Sequence, residues 1–128
     1  LTRDYPEIQR WVLAGHGAGG LKACRLANQA LPPNLLLLDN YCDVDISRLE
    51  IKVLQIIASE DSHVPQAKEE RTQPYLPKQS SIRMKLAEIG YFSFGAFELP
   101  ARESQGLLST EDFRKKLSDL IQNWLQSN

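Results

Sequence analysis

The sequence predicts an α/β fold, a three-layer sandwich around a small, mostly parallel sheet. Three observations carry that prediction. Short apolar runs alternate with stretches of helical periodicity along the 128 residues. The run Leu35-Leu36-Leu37-Leu38 has no polar position, as expected of a parallel strand covered on both faces. The strand–helix order then repeats, which suits parallel pairing through crossover connections.

Each element has its own signal. A helix is expected in front, around residues 5–9. Arg10-Trp11-Val12-Leu13-Ala14 is an apolar run closed by glycines and reads as a buried strand. Gly15-His16-Gly17-Ala18-Gly19-Gly20 forms a tight turn. Apolar residues then recur at helical spacing over residues 21–30 (Leu21, Cys24 and Ala27; Ala23, Leu26 and Ala30), until Pro32-Pro33 ends the helix. A second strand spans residues 34–39 and a third residues 51–58. A short helix covers residues 66–72, ended near Pro74 and Pro77. Residues 81–87 alternate apolar and polar, the mark of a half-exposed edge strand. After a patternless connection over residues 92–108, Ser109 with Asp112 resembles a capping box. It opens a helix whose apolar face is Phe113, Leu117, Leu120, Ile121, Trp124 and Leu125.

Composition excludes several function classes. With 42% hydrophobic and 24% charged residues the chain can bury a core. Fifteen Lys and Arg against sixteen Asp and Glu leave a net charge of −1, without the positive surface that nucleic acid or an anionic membrane needs. The longest aliphatic run falls far short of the ~20 residues that span a bilayer. No signal-peptide pattern opens the sequence. Cys24 and Cys42 make no framework for a secreted scaffold, so a reducing cytoplasm is the expected location.

In an open α/β sheet ligands bind beyond the carboxyl ends of the strands. Four segments qualify: residues 15–20, 39–43, 60–63 and 90–95. The first supports a dinucleotide reading. Gly15-x-Gly17-x-x-Gly20 follows a strand and opens a helix, and Asp39 ends the next strand, where it could hold a ribose.

The residues from Tyr5 to Gly20, with those that follow, also resemble the strand–elbow–helix unit of the α/β-hydrolases, in particular small dienelactone-hydrolase-like members. The family's elbow reads G-x-S-x-G, and Gly15-His16-Gly17-Ala18-Gly19 matches it at every fixed position except the serine. The resemblance places Asp61 at the acid's position. Tyr91 stands at the histidine's position, shortly before Phe94-Gly95. It runs over nearly the whole chain and corresponds to the family's carboxyl-terminal half. It implies Gly17 in place of the nucleophile, and one oxyanion donor, the Ala18 N–H, the second coming from the absent half. It implies no cofactor and no metal.

Losing two of three triad members leaves little triad chemistry, because the members act as a unit. A hydrolase-like protein without catalysis, with a binding or structural role, is therefore expected. An active hydrolase with a replaced nucleophile and the dinucleotide module stand as alternatives. Glycine would relax a turn that costs an active serine about 1–3 kcal/mol of strain. Gly19 and Gly20 are expected to permit close helix–strand packing.

The remaining candidates have plainer readings. His16 is taken as a packing residue, His63 as a loop histidine beside Asp61, and Cys42 as an inert thiol. Asp39, Asp43 and Asp45 suit turns and caps better than a metal. Lys68-Glu69-Glu70-Arg71 is read as a solvated helix face. Tyr91, Phe92, Phe94 and Phe97 are read as core. Without the family's preceding strands, the strand at residues 10–14 would be an open edge. A homodimer or a companion subunit is expected to cover the Arg10–Ala14 edge; failing that, the chain is expected to be a piece of a longer protein.

Overall fold

The computed structural model describes residues 4–7, 10–59, 65–94 and 109–127. Among the described residues the sheet has four strands in the order β1-β2-β3-β4, all parallel. They are β1 (Val12–His16), β2 (Asn34–Leu38), β3 (Lys52–Ala58) and β4 (Ser81–Leu86). Among the described residues three α-helices accompany them: α1 (Ala18–Ala30), α2 (Gln66–Arg71) and α3 (Thr110–Gln126).

The pleat sorts side chains between two faces. On one lie Leu13, Leu35, Leu37 and Val53, packed with Ala23, Cys24 and Ala27 of α1. On the other lie Val12, Leu36, Leu54, Ile56 and Leu86, packed with Phe113 and Trp124 of α3. Leu35, Leu37, Leu54 and Ile56 are wholly buried, so the unbroken apolar run of β2 is explained by helices on both sides. Ser109 caps α3, its hydroxyl accepting from the Asp112 N–H at 3.1 Å.

Several expectations are corrected. The first strand lies two residues later than residues 10–14, because Gly15 and His16 continue the ladder opposite Leu37 and Leu38. The turn is correspondingly shorter: α1 begins at Ala18 rather than residue 21. Residues 4–7 form turns where a helix was expected, and residues 8 and 9 lie outside the described residues. Cys24 and Cys42 are not separate thiols. They form a disulfide with their Cα atoms 5.6 Å apart, joining α1 to the loop after β2. Sequence distance hid this, since the crossover returns the chain to the face that α1 covers. Glu69 is not solvated; it is 2% exposed and ion-paired with Arg83 at 2.6 Å. Among the described residues, no helix is long and apolar enough to cross a membrane.

Candidate functional site

The carboxyl ends of β1 and β2 converge on Gly17. After His16 the chain reverses within this one residue, which has φ 58° and ψ −127°, and Ala18 already belongs to α1. A positive φ of this kind is accessible to glycine without a Cβ clash. Three bonds hold the turn. The Gly17 N–H donates to Leu38 O at 3.4 Å, Gly20 N–H donates to Gly17 O at 2.9 Å, and the Asn40 side-chain amide donates to the same Gly17 oxygen. Ala18, the first helical residue, has an N–H without an intrahelical acceptor and is exposed.

The neighbouring glycines are set by packing. A Cβ on Gly15 would come within 2.6 Å of Gly20 N, and one on Gly20 within 2.8 Å of the Asn40 side chain. Gly19 differs from expectation: a Cβ there meets nothing within 4 Å. The dinucleotide-like spacing of Gly15, Gly17 and Gly20 is therefore accounted for by one conformational and two steric demands.

Asp39 sits at the end of β2 with φ 53° and is wholly buried. Its Oδ1 accepts from the Ala58 N–H at 3.0 Å, which ties the ends of β2 and β3 together. Asp43 and Asp45 turn elsewhere. Asp43 pairs with Arg25 at 2.5 Å, and Asp45 accepts from the Ser47 N–H at 2.9 Å. The hydrogen bonds from Ser47 hold the Asp45 carboxyl below its ordinary range. His16 is half-buried, its ring 5.2 Å from that of Phe94, which meets Phe113 edge-on at 5.0 Å. Tyr91 begins a short 3-10 turn, Tyr91–Phe94. Asp61, His63, Gly95 and Phe97 lie outside the described residues, as do the side chains of Tyr91 and Phe92.

One arrangement escaped the sequence reading. A partly buried polar chain runs across the sheet from the loop after β2 to β4. Gln55 donates to Asn40 O at 2.7 Å, and Gln73 donates to Gln55 Oε1 and to Glu69 Oε1, both at 2.8 Å. Arg83 closes the chain with bonds of 2.6 and 2.8 Å to the two Glu69 oxygens. The hydrogen bond to Glu69 raises the Arg83 pKa above its ordinary value. The signal was Gln55, a polar residue in the apolar strand Lys52–Ala58. Since Asn40 also holds Gly17 O, the network links the turn to β4. Beside it, a pocket at the carboxyl ends of β3 and β4 is lined by Asp39, Ser59, Gln66, Glu69, Arg83 and Lys85.

Residues 1–115 match the model of the alpha/beta hydrolase family. No curated protein matches the chain. Among solved structures, a predicted CIB-like hydrolase from Thermoplasma acidophilum is similar, with a TM-score of 0.60 at 18% identity. The match covers 94% of this chain and 56% of that one, so this chain spans little more than half the length of its structural neighbour.

Proposed function

Because this chain belongs to the alpha/beta hydrolase family, we propose that it keeps the family's fold without triad chemistry and serves as a binding or structural protein. The observation that carries this reading is Gly17. The residue where strand turns into helix has the sharp backbone of an elbow, with φ 58°, and no side chain to attack a carbonyl. On the resemblance, Tyr91 occupies the base's position and only Asp61 remains of the triad, with the Ala18 N–H as one oxyanion donor. A phenol at Tyr91 does not replace an imidazole that must both take and return a proton near neutral pH.

The residues around the turn support the reading. His16 is packed against Phe94 and Asp39 is engaged by the Ala58 N–H, so each has a structural task at the place where chemistry would otherwise be sought. The dinucleotide alternative is less favoured for the same reason: Gly15 and Gly20 answer to packing, and the Gly17 N–H is already given to Leu38 O. A cytoplasmic location belongs to this proposal as a further part.

A panel of aryl and alkyl esters tests the main reading. The native chain is expected to show no turnover above the protein-free rate, with or without Gly17→Ser and Tyr91→His introduced together. Activity in the double variant alone would point to recent decay of a working triad. Turnover by the native chain, abolished by Asp61→Asn, would establish the active-hydrolase alternative instead.

A further inference from the structure

The pocket at the carboxyl ends of β3 and β4 carries charges of both signs, Asp39 and Glu69 against Arg83 and Lys85. Two of the four satisfy each other, since both oxygens of Glu69 accept from Arg83. Asp39 and Lys85 remain. Leu38 pairs with Ile56 and Ile57 with Lys85, so Asp39, Ile57 and Lys85 follow one another across three strand ends. Two strand spacings put the backbones of Asp39 and Lys85 about 10 Å apart, with Ile57 between them. Lys85 is exposed and makes no ion pair among the described residues. Asp39 is wholly buried, and the Ala58 N–H takes one of the roughly four acceptor positions that a carboxylate offers. Ser59 also lines the pocket, and its Oγ is enclosed without a hydrogen-bond partner among the described residues. The cavity has a volume of about 50 Å³, room for roughly three to five water-sized groups.

We propose that this pocket binds a small α-amino acid as its zwitterion, the ammonium toward Asp39 and the carboxylate toward Lys85 and Ser59. A ligand with a single charge answers one of the two protein charges and meets the other as a like charge. A zwitterion answers both, which is what removing its own charges from water requires. Its carboxylate gives the enclosed Ser59 hydroxyl a charged acceptor, the stronger kind of partner. Ile57 is an apolar neighbour for the carbon that joins the two charged groups. The volume restricts the ligand to glycine or an amino acid of similar bulk and leaves no room for a dinucleotide. The site uses none of Gly17, Ala18, Asp61 and Tyr91, so it stands whether or not triad chemistry has been lost.

Amide resonances of the labelled chain, followed while glycine, acetate or methylammonium is added, are the test. Glycine should shift the Ile57, Ser59 and Lys85 amides saturably in the millimolar range, as befits so small a ligand. Acetate and methylammonium, each carrying half of its charge, should bind roughly tenfold or more weakly. Lys85→Gln should weaken glycine binding by a similar factor, abolish the acetate response and leave methylammonium unaffected. Asp39→Asn should do the reverse, its remaining side-chain oxygen still accepting from the Ala58 N–H. Lys85 is exposed, so its variant should melt with the native chain and decides the matter even if Asp39→Asn does not fold. Three results would overturn the proposal: no saturable shift with glycine, acetate or methylammonium binding as tightly as glycine, or glycine binding that Lys85→Gln leaves intact.

Discussion

Gly17 and Gly20 act through different physics, although both lie in one short glycine-rich stretch. Gly17 is held at φ 58°, so any side chain there is conformationally strained, whereas Gly20 is helical and lacks room because Asn40 occupies its Cβ position. Gly19, one residue earlier, has open space and sits in the first turn of α1. Gly19→Ala should therefore stabilise the protein by about 0.5–1 kcal/mol through helix propensity. Gly20→Ala should destabilise it by about 1–3 kcal/mol through overpacking and disruption of the Asn40 bond to Gly17 O. Urea unfolding of the two variants checks this, and equal effects would mean that the Asn40 contact does not constrain the turn. The glycines were visible in the sequence, but their separate demands were not. Those depend on Asn40, which is 20 residues away in sequence and is returned to the turn by β2.

At the level of elements, α1 is fastened to the loop after β2 twice, by the Cys24–Cys42 bond and by the Arg25–Asp43 pair. The ion pair is largely solvent-accessible and contributes little. The disulfide closes a span of 18 residues, for which a chain-entropy argument gives about 3 kcal/mol. Cys24→Ser with Cys42→Ser should lower the melting temperature by about 10 °C. The native protein should show the same drop when melted in dithiothreitol, while the variant is indifferent to it. Amphipathic patterning revealed α3 and its Ser109 cap, because periodicity and capping are local. It misread α2, where a Glu in a polar run became the buried partner of Arg83. Nothing nearby in the sequence marks Glu69, since Arg83 is 14 residues on and reaches it across the sheet face. The raised Arg83 pKa has a defined consequence for pH dependence. A cation with a raised folded pKa contributes its full stability below its ordinary value and loses it only at still more alkaline pH, so this pair leaves no imprint at working pH.

For the molecule as a whole, the four described strands lie parallel and in sequential order. The structural neighbour is longer, with 44% of its length outside the match, so that protein has further structure beyond the shared region. A screen of NAD, NADP and FAD by thermal shift tests the remaining ligand class at this scale. No shift is expected, whereas a ligand at 100 times its dissociation constant would add about 2.7 kcal/mol. A clear shift, lost on Asp39→Ala, would restore the dinucleotide reading.

Strand–helix alternation, the doubly covered second strand, the capped final helix and the elbow-like glycine pattern could all be read from residue order. They rest on periodicity, propensity and turn chemistry, which act over a few residues. The pairing of the cysteines, the burial of Glu69 against Arg83 and the Asn40 brace on Gly17 appear once the crossovers bring distant segments onto one sheet face. These are contacts between segments far apart along the chain, and no local pattern encodes which of them will meet.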